Sequence, residues 1–247
     1  MKVCVFVIAL SFIGLFGCGK SPGSDLAASG RDAFAVARQH MVREQLARTG
    51  QRITNACVLA AMGRVPRHEF VPEQFRRHAY DDGPLPIGHD QTISQPFIVA
   101  FMTELLEPRP TDRVLEVGTG SGYQAAVLAE LVKEVYTIEI IEPLAQRAEA
   151  DLKRLSYTNV HMRSGDGYKG WPEAAPFDAI IVTCAPENVP SPLVEQLKDG
   201  GRMIIPVGPM GNQELVLLRK EGGGLNQRAV LPVRFVRMTG EAEKSRP

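Results

Sequence analysis

The strongest constraint on the fold is a turn with glycine at every second position, Gly118-Thr119-Gly120-Ser121-Gly122. Residues 113–117 (RVLEV) predict a strand before the turn, and residues 123–131 predict a helix after it. Glycine allows positive φ and a close approach between the backbone and a ligand. We therefore expect a ligand-binding loop at the carboxyl end of a core strand. A tight turn without a ligand is the alternative, which three alternating glycines disfavour.

The chain beyond residue 112 alternates between strand and helix patterns. Because such alternation is typical of parallel sheets, the predicted fold class is α/β, a doubly wound and mostly parallel sheet. The last two strands have no long helix between them and are expected to pair antiparallel. Helical spacing of apolar residues at 31–48, 55–62 and 95–106 predicts an N-terminal helical extension. The predicted core strands are 113–117, 134–140, 160–163, 178–183, 203–207, 214–219 and 230–237, with helices at 123–131, 142–155 and 192–197.

Charge and cysteine content exclude few functions but disfavour some. Lysine and arginine together number 28, as do aspartate and glutamate. A chain without net charge has no long-range field to attract nucleic acid, which is not an expected partner. The four cysteines form no CxxC pair and the histidines no HxH or HxxxH pair, so no metal is expected. Cys57 and Cys184 have apolar neighbours and are interpreted as small core residues.

Residues 1–18 resemble a bacterial lipoprotein signal. Lys2 is followed by a mostly apolar run to Phe16, which is too short to span a membrane. The next residues resemble a lipobox in which Cys18 would carry the lipid, and the Gly- and Ser-rich residues 19–30 predict a flexible linker. The alternative is a start codon placed upstream of the true one.

The spacing of the glycines helps to indicate which nucleoside ligand the loop binds. The dinucleotide fingerprint is G-x-G-x-x-G/A, whereas this chain has G-x-G-x-G followed by Tyr123. Glu116 also lies inside the predicted strand. Both features resemble the S-adenosylmethionine-binding loop of class I methyltransferases. Glu139 ends the next strand about twenty positions later, where an acidic residue can accept the ribose hydroxyls; a solvated carboxylate is the alternative.

Two segments upstream of the turn make the resemblance more specific. Residues 65–72 have the sequence VPRHEFVP, and residues 83–96 have the sequence GPLPIGHDQTISQP. With VYTIEI at 135–140, SGDG at 164–167 and GGRMIIPVG at 200–208, they are similar to the signature of protein-L-isoaspartate O-methyltransferases. The resemblance extends from about residue 37 to 239. It implies S-adenosylmethionine as cofactor and, as substrate, the free α-carboxylate of L-isoaspartyl residues in damaged proteins.

The same resemblance implies which residues form the site. Ser94 is expected to be the catalytic residue that orients the carboxylate, although it could instead cap the helix that begins at Gln95. Asp166 is expected to accept from the adenine amino group. The complete expected cofactor site consists of Gln91, Thr92, Ile93, Gly118, Thr119, Gly120, Ser121, Gly122, Glu139, Gly165, Asp166 and Thr239.

Two residues depart from the pattern of this family. Asp90 stands where a small residue often precedes Gln-Thr-Ile-Ser, so its charge either weakens carboxylate binding or faces solvent. Arg237 stands where proline is commoner.

We expect one methyltransferase domain at 31–240, with a helical and substrate-loop part at 31–110, a cofactor-binding core at 111–240 and a tail at 241–247. The family and the cofactor supply imply a cytoplasmic monomer that acts on isoaspartyl proteins and peptides. Envelope anchoring through Cys18 is the alternative location. The alternative functions are methylation of another carboxylate or small molecule, and an inactive lipid-anchored relic.

Overall fold

The computed structural model describes residues 33–48, 50 and 53–244. The predicted lipoprotein signal, the linker and the last three residues of the tail lie outside the described residues. Contacts group the chain into two units, Met1–Ala35 and Val36–Pro247, and the second contains every element below except the start of the first helix. Within the described ranges, the structure has no helix with the length and apolar character needed to cross a bilayer.

Helices and strands alternate along most of the chain. Residues 33–40 form helix α1, which a π-helical turn, Met41–Leu46, extends. The other helices are α2 Ala56–Arg64, α3 Pro96–Leu105, α4 Tyr123–Ala129, α5 Glu142–Arg154, α6 Ser191–Glu195 and α7 Glu241–Lys244. The strands are β1 Leu85–Gly88, β2 Gln91–Ile93, β3 Arg113–Val117, β4 Glu134–Glu139, β5 Val160–Ser164, β6 Phe177–Val182, β7 Leu197–Val207, β8 Gln213–Glu221 and β9 Gly224–Val233.

Seven strands form the main sheet in the order β5-β4-β3-β6-β7-β8-β9. The first five are parallel, and β8 and β9 are antiparallel to their neighbours. The predicted fold class and the antiparallel pairing of the last two strands are confirmed. The chain leaves β3 towards β4 and β5 on one side, then crosses back to β6 on the other side of β3 and continues outward to β7. Parallel sheets bind ligands in the crevice at the carboxyl ends of the strands beside such a switch point.

The last strand lies earlier in the sequence than predicted. It was expected at residues 230–237 but spans Gly224–Val233. Gly222 and Gly223 both have positive φ and form the tight turn from β8. The first six residues of β9 are exposed at the edge of the sheet. Because an exposed edge strand carries polar residues on both faces, it lacks the apolar signal on which the prediction depended.

A two-stranded hairpin, β1 with β2, replaces what the sequence indicated as loop. Leu85 pairs with Ile93, and His89 and Asp90 form the turn with φ of 53° and 57°. Aspartate tolerates left-handed backbone better than most residues, which suits Asp90 to this position. Asp90 is exposed at the tip of the hairpin, so its charge faces solvent.

Candidate active site

A cleft of about 800 Å³, partly open to solvent, lies at the carboxyl ends of β3, β4 and β6. Ten of the residues predicted for the site line it: Gln91, Thr92, Ile93, Ser94, Gly118, Thr119, Gly120, Ser121, Glu139 and Thr239. Three predicted residues, Gly122, Gly165 and Asp166, do not. The lining residues that the sequence did not indicate include Ile138, Ile140, Thr183, Cys184, Arg237 and Met238.

The glycine turn adopts a backbone that requires glycine. Gly118, Gly120 and Gly122 have φ of 96°, 53° and 86°. A Cβ on Gly118 would lie 2.5 Å from the Thr183 hydroxyl, which donates to the Gly118 carbonyl oxygen at 2.6 Å. Thr183 follows the end of β6, a position from which the sequence could have indicated it.

Gly122 does not line the cleft and instead allows the turn to pack closely against helix α5. A Cβ there would lie 3.3 Å from the Leu152 side chain of α5. The third glycine of nucleotide-binding turns commonly allows this close approach between helix and strand.

Glu139 is held by the glycine turn and by its own chain. Its Oε2 accepts from the Gly120 amide at 2.7 Å, and its Oε1 accepts from the Ile141 amide at 3.0 Å. The residue is only 5% exposed, yet it lines the cleft. Each carboxylate oxygen retains acceptor capacity for a ligand hydroxyl. Next to it, Ile140 is 40% exposed and gives the cleft an apolar wall.

A buried carboxyl group supports the turn from within the sheet. Glu116 is fully buried, and its Oε2 accepts from the Thr137 hydroxyl at 2.6 Å. Thr137 also lies within hydrogen-bond distance, 2.6 Å, of the Thr119 hydroxyl in the turn. Burial raises the pKa of Glu116 to about 8, so this carboxyl is mostly protonated at neutral pH.

Asp166 is engaged in backbone contacts beside the cleft. Its carboxylate accepts from the Tyr168 amide at 3.0 Å and from the Glu241 amide at 2.8 Å. These bonds fix the segment after Thr239 next to β5. The adenine contact expected of Asp166 stays a prediction, as does a role for Gly165.

Ser94 does not cap the helix that follows it. The N-cap of α3 is Gln95, which makes no capping bond with its side chain. Asp82 serves instead, because its Oδ1 accepts from the Phe97 amide at 3.3 Å and its Oδ2 accepts from Gln95 Nε2 at 2.9 Å. The capping alternative is therefore wrong. Ser94 is half-buried in the cleft lining, and its hydroxyl has no hydrogen-bond partner in the part of the chain that the structure describes.

The two described cysteines differ from each other. Cys57 is exposed, which corrects its interpretation as a core residue. It lies in the first turn of α2 and on the outer face of that helix. Cys184 is half-buried against the cleft, and burial raises the pKa of its thiol to about 12. A thiol protonated at neutral pH is not a nucleophile.

The cleft fits a nucleoside with a charged tail. Glu139 offers acceptors for a diol, Ile140 and Met238 offer apolar surface for a base, and the glycine turn exposes backbone at close range. A doubly wound sheet with this turn at its switch point defines a class I, S-adenosylmethionine-dependent methyltransferase. The cofactor expected from the sequence is the one used by this class.

Comparison with known proteins narrows the class to a family. The family model described as protein-L-isoaspartate(D-aspartate) O-methyltransferase matches residues 37–243. The chain belongs to this family, which confirms the resemblance and the assignment as an enzyme.

Relatives resemble the chain over most of its length. A protein-L-isoaspartate O-methyltransferase of Opitutus terrae is 61% identical over 205 residues, which are 83% of this chain and 87% of the relative. One from Gloeobacter violaceus is 56% identical, over 81% of this chain and 98% of the relative. A solved protein-L-isoaspartate O-methyltransferase superposes with a TM-score of 0.72 at 29% identity, covering 86% of this chain and 66% of that longer one. One from Plasmodium falciparum in complex with S-adenosyl-L-homocysteine gives 0.70 at 25% identity, covering 83% and 98%.

Proposed function

We propose that this enzyme transfers a methyl group to the free α-carboxylate of L-isoaspartyl residues in damaged proteins and peptides. Membership of the family supports the substrate class. The site assignment depends on one observation: the Ser94 hydroxyl has no partner among the described residues and lies in the same cleft as the glycine turn. A free hydroxyl can donate to a carboxylate oxygen of the substrate.

The chain's residues bind and orient; they do not need to move a proton. An α-carboxylate has a pKa of about 3.3–3.7 and is already ionised at neutral pH. A general base is therefore unnecessary, and no histidine is among the described residues that line the cleft. Ser94 orients the carboxylate, and alignment of reactants can lower a barrier by roughly 7–11 kcal/mol.

Other residues that line the same cleft would hold the cofactor. Glu139, the glycine turn and Thr239 are the groups that would hold it. When bound, S-adenosylmethionine supplies an electrophilic methyl group. In the methyl ester of an isoaspartyl residue, the neighbouring amide nitrogen then attacks the ester carbon and methanol leaves. The resulting succinimide is hydrolysed in part to normal aspartate.

The test compares an isoaspartyl peptide with its aspartyl twin as acceptors of labelled methyl. The isoaspartyl peptide alone should be labelled, because only it presents a free α-carboxylate at that residue. Ser94→Ala should lower kcat/KM by about 10- to 100-fold, the fold-change that corresponds to the free energy of one hydrogen bond to a charged group. Ser191→Ala, at an exposed helix end, is the matched control. Equal labelling of both peptides would instead favour a methyltransferase for carboxylates in general, and no labelling or cofactor uptake would favour a relic.

The location and assembly of the enzyme form a separate proposal. A cytoplasmic monomer is consistent with the place where S-adenosylmethionine is made. Envelope anchoring through Cys18 is the alternative, and Cys18 lies outside the described residues. Fractionation of native cells with the mass of the mature N-terminus decides between them: a lipid-modified Cys18 in the membrane fraction would reject the cytoplasmic location.

A further inference from the structure

A short extended segment borders the cleft. One of its edges pairs with Ala185, and on the other edge Phe235 bonds the Gln213 side chain through its N–H at 2.6 Å and its C=O at 3.2 Å. The Ala185 amide donates to the Val236 carbonyl oxygen at 2.8 Å, and the Met238 amide donates to the Ala185 carbonyl oxygen at 2.9 Å. In a parallel bridge of this kind, the N–H and C=O of the central residue, Arg237, point to the other side. Neither group of Arg237 has a partner among the residues that the structure describes. At Arg237, beyond the bonds of Phe235, this second edge is therefore open to one residue of another extended chain.

The side chain of Arg237 is also free. It is exposed, and its guanidinium forms no ion pair or hydrogen bond with any described residue. A guanidinium without a partner at the rim of a binding cleft favours an anionic ligand, because it offers donors in the geometry that matches a carboxylate.

Arg237 and Met238 line both the cleft and a shallow groove next to it. Pro186, Pro209 and Met210 give this groove apolar walls, and Met210 is 55% exposed. Glu187 is the acidic residue of the groove and has an interaction of its own. A ligand that enters the cleft and is longer than one residue can thus continue past Arg237 into a groove of the same molecule.

We propose that Arg237 and this groove form a subsite for the substrate chain beside the isoaspartyl residue. The substrate main chain pairs with the free N–H and C=O of Arg237 as one added strand, and the guanidinium binds the carboxylate of an acidic side chain nearby. The enzyme then favours isoaspartyl sites in acidic sequence. This inference rests on the proposed function. Proline, the commoner residue at this position in the family, supplies neither the N–H nor the charge.

The experiment uses the full chain and two isoaspartyl peptides that differ only in their flanking residues, Glu in one and Gln in the other. The wild-type enzyme should methylate the Glu peptide with a kcat/KM about two- to fivefold higher, the fold-change that corresponds to an exposed ion pair. The difference should lie in KM and should shrink in 0.5 M salt, because salt screens exposed charges.

Two variants distinguish the contribution of the Arg237 charge from that of the Arg237 backbone N–H. Arg237→Gln should lower kcat/KM for the Glu peptide to the value of the Gln peptide, whereas Arg237→Pro should also raise KM for the Gln peptide. Arg234→Gln removes an exposed charge three residues away that lines neither cavity, and it should preserve the preference. Thermal unfolding of each variant checks that it is folded.

The outcomes are distinguishable. Equal use of the two peptides by the wild-type enzyme, or equal loss of preference in Arg234→Gln and Arg237→Gln, would overturn the subsite while leaving the proposed function intact. Failure of the wild-type enzyme to methylate either peptide would overturn both.

Discussion

Glu116 is a carboxyl group placed where its charged form is costly. It lies in the central strand, fully buried, and its Oε1 has no hydrogen-bond partner among the described residues. Removal from water penalises the ionised form, whereas the Thr137 hydroxyl favours it only in part. The protonated form is tolerated, and through Thr137 it supports Thr119 of the glycine turn. A residue that helps to shape the cofactor loop therefore links stability to pH.

The linkage between Glu116 and stability acts in one direction. The carboxyl ionises near pH 4.5 when exposed, but only near pH 8 in the folded chain. Below the lower value both states are protonated and the penalty is absent. Between the two values the folded state binds more protons, so Glu116 lowers the free energy of unfolding as pH rises, by about 1.4 kcal/mol per pH unit.

Glu116→Gln should remove this dependence. The stability of the variant relative to the wild type should increase between pH 5 and pH 8, because glutamine does not ionise. Urea unfolding at both pH values measures the change, and Glu214→Gln on the exposed face of β8 is the control. A constant difference between variant and wild type across this range would contradict the raised pKa.

Helix α3 shows how an element of the site depends on a residue far away in sequence. It follows the segment 91–94 directly, and its first amides need acceptors. Pro96 supplies no donor at the first position, and Asp82 from the preceding loop accepts from the Phe97 amide. The cap and the hairpin turn together set the direction from which Ser94 enters the cleft.

Asp82→Ala should therefore destabilise the fold by about 1 kcal/mol, the usual cost of losing a cap. Asp82→Asn keeps an acceptor oxygen and should be close to wild type, since asparagine caps about as well as aspartate. Chemical unfolding of the three proteins provides the measurement. Equal stability of the alanine and asparagine variants would show that Asp82 does not act as a cap.

Elements buried on both faces were the ones that the sequence predicted well. β3, β4 and β6 were placed within about a residue or two of their observed bounds, because continuous apolar runs are a strong signal. The hairpin of β1 and β2 was missed because Pro84 and Pro86 indicated loop. Its strands are short and pair mainly with each other.

Some site residues could likewise be predicted from a local sequence pattern, and others could not. Glu139 and the glycine turn follow predicted strands directly, so their position at the carboxyl edge could be inferred. Thr183 ends a predicted strand and could have been inferred in the same way. Asp82, and Arg237 in the role that we propose for it, depend on contacts with distant parts of the chain. Ser94 was predicted as a site residue from the family resemblance and not from any local sequence pattern.

At the scale of the whole molecule, the folded unit and the N-terminal segment can be separated experimentally. Val36–Pro247 forms one compact unit, and its N-terminal turn contributes to the core, because Met41 and Leu46 are 0% exposed. The Leu46 carbonyl oxygen also accepts from the Ile53 amide at 2.8 Å. We therefore expect the boundary of the catalytic part to lie before this turn.

Deletion of residues 1–30 should leave both the thermal unfolding midpoint and methyl transfer to an isoaspartyl peptide unchanged, since the sheet, the cleft and the α1 turn are retained. Deletion of residues 1–46 is the matched control. It removes two fully buried apolar side chains, each worth roughly 1.5–3 kcal/mol, and should lower the unfolding midpoint by many degrees. Loss of activity on the shorter deletion, with the unfolding midpoint preserved, would contradict this boundary, because it would place a catalytic contribution within residues 1–30.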